Sequence, residues 1–187
     1  MVDLRETYST TTADLLDTIA PNNKTEVNHV LLRRACCLIS EMEERFMEED
    51  QDGNGIQDFT LKTIGKGSLA DAGKIQFSNQ ELKAVIGQDA PPESFRGYFF
   101  KILCAQGKNA PGGEFSYLVN GKMIKGYALI AFPKEYPTSG KRTFALGYNG
   151  ISKSFFSKDL GDQTKAIIEK MREFNPDSTW SKEKPAE

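Results

Sequence analysis

The residues best suited to chemistry in this chain stand in one run, Asp50-Gln51-Asp52-Gly53-Asn54-Gly55-Ile56-Gln57-Asp58. Side-chain oxygens fall at its first, third, fifth and ninth positions, and a glycine falls at the sixth. Calcium is a hard cation that takes six to eight oxygen ligands, and a tight loop with oxygen at alternate residues wraps them around one point. Gly55 permits the sharp turn, and the main-chain carbonyl of Ile56 supplies the ligand of position seven. The spacing therefore predicts a Ca2+ site made by Asp50, Asp52, Asn54, Ile56 and Asp58. A standard EF-hand is ruled out: position twelve, where a bidentate glutamate belongs, holds Leu61, and the usual apolar position eight holds Gln57.

The pattern that remains, D-x-D-x-[DN]-G-x-x-D, resembles the shorter calcium loops of thrombospondin type 3 repeats. Residues 41–58 carry eight acidic side chains against one base, Arg45. Clustered carboxylates repel one another unless a cation or solvent screens them, which favours a divalent ion here. Asp, Asn and Gly are equally the residues of any turn that follows a helix, so a plain turn is the competing reading. If the ion binds, a weak site of the extracellular kind, on the order of 10⁻⁴ M, is expected.

Other constellations are thinner. His29 is the sole histidine, which excludes multi-histidine metal sites and leaves one imidazole base. A Cys104–His29 dyad has no local signature behind it. Gly65-Lys66-Gly67-Ser68 lacks the upstream glycine of a phosphate loop. Cys36, Cys37 and Cys104 make an odd number, unsuited to a disulfide framework, and read as small buried hydrophobes, with a bridge from Cys36 or Cys37 to Cys104 as the alternative in an exported protein.

The candidate loop must be held by what surrounds it. Asn23 and Glu26 form a capping box before Val27, Val30, Leu31, Leu38, Ile39, Met42 and Phe46, which recur at helical spacing. That predicts an amphipathic helix from about Thr25 to Met47, ending just before the acidic loop. Short helices are expected after Thr12 and from Ser78 to Gly87, followed by a rigid linker over Asp89 to Ser94. From Gly97 the period becomes two, with Tyr98, Phe100, Ile102 and Cys104 on one face. A glycine-rich loop, Gly107 to Gly113, reads as flexible. Asn120-Gly121 and Asn149-Gly150 each sit between apolar runs and predict hairpins, and Tyr127 to Phe132 is a continuous apolar strand. Asp162 is placed to cap a closing helix that carries Ile167, Ile168, Met171 and Phe174.

Helix-rich sequence, then antiparallel strands, then a helix is the α+β pattern. The expected fold is α+β, with a long N-terminal amphipathic helix packed on an antiparallel sheet of four or more strands and a closing C-terminal helix. Residues 1–11 read as a loose arm, 12–180 as a single domain and 181–187 as a disordered tail. The 187 residues carry 24 bases and 26 acids, a net charge of −2. That balance argues against a general nucleic-acid binder, which needs a basic surface to displace counterions. No apolar stretch approaches the ~20 residues of a membrane helix, and no charged-then-apolar leader opens the chain.

From Gly97 through Gly107, and again at Asn109-Ala110-Pro111-Gly112-Gly113, Tyr117 to Met123, Gly126 to Pro133, Lys158 to Gly161 and Pro176 to Trp180, the chain resembles a known family. It is the bacterial family called domain of unknown function 2950, and the likeness spans Gly97 to Trp180. The first half is similar to exported planctomycete-type proteins that join an acidic helix to D-x-D-G-N-G-x-x-D and then this sheet. These in turn resemble the globular part of pilins and pseudopilins. The resemblance implies an exported bacterial protein, periplasmic, surface-located or secreted, with no established activity and an unidentified protein or cell-envelope partner. The leading expectation is a non-enzymatic structural or interaction module of the cell envelope. The alternatives are a cell-envelope hydrolase or transferase using Cys104 or Glu114, and a glycan- or peptide-binding domain using exposed Tyr98, Tyr117 and Tyr148.

Overall fold

The computed structural model describes residues 24–48, 50, 55–60 and 97–184. The arm 1–11, the helices expected after Thr12 and from Ser78 to Gly87, and the linker Asp89 to Ser94 lie outside them. A first helix, α1, spans Lys24–Glu48. Among the described residues nine strands follow: β1 (Tyr98–Leu103), β2 (Ala105–Gln106), β3 (Phe115–Ser116), β4 (Leu118–Val119), β5 (Lys122–Met123), β6 (Tyr127–Pro133), β7 (Arg142–Tyr148), β8 (Lys153–Asp159) and β9 (Ser181–Glu183). A 3₁₀ turn at Gly161–Gln163 leads into a short helix, α2, Thr164–Lys170. The main sheet has the order β1-β6-β7-β8-β9 and every pairing in it is antiparallel. The fold is thus α+β.

Alternation across these strands sorts their side chains onto two covered faces. On one face, Tyr127 and Leu129 of β6, Phe144 and Leu146 of β7 and Phe155 of β8 are buried. Against them lies α1, whose Leu32, Ala35, Cys36, Ile39, Met42 and Phe46 recur at intervals of three and four and are all buried. The contact is fastened in its middle. The Tyr127 hydroxyl donates to the Ser40 carbonyl at 3.0 Å. Its single proton is thereby used, so the Ser40 hydroxyl, 2.6 Å away, is the donor of the second bond.

The other face is covered by α2 and the chain after it. Phe174 is buried with its ring 5.9 Å from Phe156. Gly147 makes this possible: a Cβ there would stand 2.4 Å from the Phe174 ring. With both faces covered, Tyr127 to Ala131 is buried without interruption, which explains a strand that reads as one apolar run.

Three expectations change. The closing helix stops at Lys170, and Met171 turns extended (φ −64°, ψ 124°), so Met171 and Phe174 lie beyond it. The Ile168 and Met171 carbonyls instead accept the Lys101 ammonium at 2.7 and 2.8 Å, a cation at the negative end of the helix. Asp162 lies inside the 3₁₀ turn that precedes α2, so the cap position of α2 falls to Gln163, which makes no side-chain cap bond. The tail expected to be disordered from 181 contributes β9, paired with β8 and tied by Glu183, which accepts the Ser157 hydroxyl at 2.6 Å.

Candidate functional site

The acidic loop leaves the end of α1 through Asp50, which holds a left-handed φ of +42° that Asp tolerates better than most residues. Its Oδ2 accepts the Gly55 N–H at 2.9 Å, joining positions one and six of the candidate motif. Gly55 itself sits at φ +79°. The Gln57 amide donates to the Glu48 carbonyl at 3.1 Å, one of the last carbonyls of α1. Asp58 pairs with Lys122 of β5 at 3.5 Å. The chain is then sewn to the sheet: the Phe59 N–H donates to the Met123 carbonyl at 2.7 Å. The buried Phe59 ring packs 4.9 Å from Tyr127 and 5.9 Å from Tyr148. Of the five predicted ligands, Asp50, Ile56 and Asp58 are described, while Asp52 and Asn54 lie outside the described residues. Among the described residues no three His, Cys, Asp or Glu side chains come together as a metal-holding group.

The acidic surroundings are not one solvent-facing cluster. Glu44 pairs with Lys153 at 2.7 Å. Glu43 is 1 % exposed, and one carboxyl oxygen, Oε2, accepts the Thr60 N–H at 3.0 Å. The other, Oε1, has no hydrogen-bond partner among the described residues. Burial holds this carboxyl well above its ordinary pKa, and the Thr60 bond only partly offsets that. Nothing in the charge count of the sequence distinguishes this inward glutamate from its neighbours. The only hint is its place four residues after Ile39 and three before Phe46, on the buried stripe.

The catalytic candidates are not assembled. The His29 ring packs edge-on against Phe144 at 5.5 Å. Phe144 pairs with Ala131, and Ala131 with Phe100, so Cys104 lies four residues further along, about 13 Å by strand rise. Burial pushes the Cys104 thiol up, away from a reactive thiolate, and all three cysteines are free. Glu114 is exposed. The aromatic platform also fails: Tyr98 and Tyr117 are fully buried, and Tyr148 is partly buried. The Tyr117 hydroxyl donates to Gln106 at 3.0 Å, and burial raises its pKa. The glycine-rich loop is pinned rather than flexible. The Gln106 amide donates to the Pro111 and Gly113 carbonyls at 2.8 and 2.6 Å, and the Asn109 N–H donates to the Asn175 side chain at 2.9 Å.

Sequence reasoning missed a concave feature. A groove of about 580 Å³ runs between the sheet and the chain from α2 to Trp180. Ile130 and Ala145 form its floor, Ile167, Met171 and Trp180 its walls, and Lys170, Arg172 and Glu173 its charged rim. Its parts come from β6, β7, α2 and the segment after it, so no local spacing announces it. The small residues Ala145 and Gly147, alternate positions on one face of β7, were the available signal.

An antiparallel sheet covered on one face by a helix and on the other by a short helix and an extended segment defines the class as an α+β domain. The chain belongs to the family of proteins of unknown function DUF2950, whose profile matches residues 26–183. That match includes α1, the acidic loop and β9 as well as the strands. No curated protein and no solved structure matches the chain. No helix among the described residues is long and apolar enough to cross a membrane.

Proposed function

We propose that this protein is a non-catalytic structural or interaction module of the bacterial cell envelope, exported to the periplasm or cell surface, whose loop Asp50–Asp58 binds Ca2+. In this reading the helix and sheet pack in the manner of a pilin head. The ion fixes the end of α1 against β5 and adds stability without taking part in any reaction. One observation carries the calcium reading: the Gly55 N–H on the Asp50 carboxylate, which brings the first and sixth positions of the motif together. Asp50, Asp52, Asn54 and Asp58 would supply side-chain oxygens and Ile56 its carbonyl. The charge of Lys122 beside Asp58 would oppose the ion and keep affinity low. Export is supported by the resemblance to exported relatives.

Thermal unfolding of EDTA-stripped protein is the test. With a dissociation constant on the order of 10⁻⁴ M, 10 mM calcium adds about 2.7 kcal/mol, a rise in Tm of roughly 5–10 °C. Magnesium at the same concentration is expected to give a smaller rise, and Asp52→Ala to abolish the calcium response. An unchanged Tm in calcium, or an equal response from Asp52→Ala, would reduce the loop to a turn.

A further inference from the structure

We propose that the groove beneath α2 is a binding site for a small amphiphilic carboxylate, an aliphatic chain ending in one carboxyl group. The groove lies on the sheet face turned away from α1 and shares no residue with the acidic loop, so the inference is independent of the calcium reading.

Three observations define the occupant. The first is size: about 580 Å³ falls in the range of small-molecule sites. At about 30 Å³ per water-sized group that is room for roughly 15–20 heavy atoms. The second is the surface of the groove. Its open apolar surface comes from Ile167, Met171 and Trp180, lying over the buried Ile130, Ala145 and Phe174, and suits an alkyl chain. Ala145 is the small residue of β7 that lines the groove, whereas the place above Gly147 is taken by the Phe174 ring.

The third is charge. Lys170 and Arg172 stand at the rim against one acid, Glu173, whose Oε1 already accepts the Asn175 amide at 3.1 Å. Beneath them the Lys101 ammonium is held on the Ile168 and Met171 carbonyls, and its pKa is lowered by burial first and by Arg172 second, with the Glu169 carboxylate acting the other way. Arg172 is therefore close enough to Lys101 for the two positive charges to be felt. The rim attracts an anion and repels a cation. An apolar slot with a cationic lip matches a carboxylate on a hydrocarbon chain better than a neutral or cationic amphiphile.

Trp180 is the sole tryptophan of the chain, so its fluorescence reports directly on the groove. Titration of the full chain with decanoate in calcium-free buffer is expected to shift and saturate that emission, with Kd of about 10–100 µM. Decyltrimethylammonium, of equal chain length and opposite charge, is expected to bind at least about tenfold more weakly. The double variant Lys170→Glu/Arg172→Glu changes two exposed side chains and is expected to weaken decanoate about tenfold while no longer rejecting the cation. Ala145→Leu, filling the floor, is expected to weaken both probes, with folding checked by circular dichroism. No saturable response to decanoate would overturn the proposal. So would equal affinity for the two probes, or unchanged decanoate binding in the folded double variant. An emission change that follows protein concentration instead of ligand would assign the groove to a second copy of the chain and also overturn it.

Discussion

Phe174→Ala is expected to destabilise the protein by about 3–5 kcal/mol, the loss typical of deleting a buried aromatic side chain. The ring is 2 % exposed and is pressed onto Gly147 and Phe156. Its backbone is fastened as well. The Phe174 N–H donates to the Ala105 carbonyl at 2.9 Å, and its own carbonyl accepts the Gly107 N–H at 2.9 Å. The segment after α2 is thereby a strut between the sheet and the glycine-rich loop, so the cavity left by truncation cannot close by a simple collapse of the chain. Urea unfolding followed by circular dichroism measures the effect. A loss under about 1 kcal/mol would mean the segment merely rests on the sheet, as an exposed loop would.

Glu43→Gln is expected to change the pH dependence of stability more than any other single substitution at a described carboxylate. Its carboxyl is buried on α1, with the Thr60 N–H on one oxygen and Tyr127 close enough for the two groups to influence each other. Glu44 and Tyr148 also act on Tyr127, and Lys153 faces Glu44. Burial raises the folded pKa of Glu43 well above 4.5, the ordinary value it takes in the unfolded chain. Above pH 4.5 the unfolded chain releases a proton that the folded protein keeps. The contribution of this group is then fully present at low pH and is lost as pH rises toward the folded pKa, by up to about 1.4 kcal/mol per pH unit. Glutamine has the shape of the protonated acid and no proton to lose. Its stability relative to the parent should therefore be flat below about pH 4.5 and climb steadily above it. Denaturant unfolding at a series of pH values tests this, and a constant offset between the two proteins would show Glu43 to be ionised in place.

What the sequence disclosed follows from which interactions are local. Asn120-Gly121 announces its turn, and both residues hold positive φ, 52° and 80°. At Asn149-Gly150 the paired strands are where the pattern puts them, yet only Gly150 has positive φ. Asn149 accepts the N–H groups of Ile151 and Ser152 at 3.1 and 2.9 Å and makes a four-residue loop. The closing helix was overdrawn because Met171 and Phe174 continue its spacing. The Lys101 ammonium that donates to the Ile168 and Met171 carbonyls comes from β1, far away in sequence. β9 is Ser-Lys-Glu, with no apolar alternation to betray it. In the candidate loop the spacing of Asp, Asn and Gly is visible in the sequence, whereas the Lys122 counter-charge and the burial of Glu43 are products of the fold.

That short last strand bears on how the protein behaves in company. β8 carries Phe155 and Phe156, and without a neighbour its outer backbone would offer a row of open N–H and C=O groups to any other extended chain. Ser181–Glu183 occupies part of that row with three polar residues, too short and too charged to recruit a further strand. Arg142 and Ser157 hold Glu183 in place, at 3.8 and 2.6 Å. β9 is in this sense a guard against polymerisation, and a protein shortened at Trp180 would expose β8 as a template for edge-to-edge aggregation.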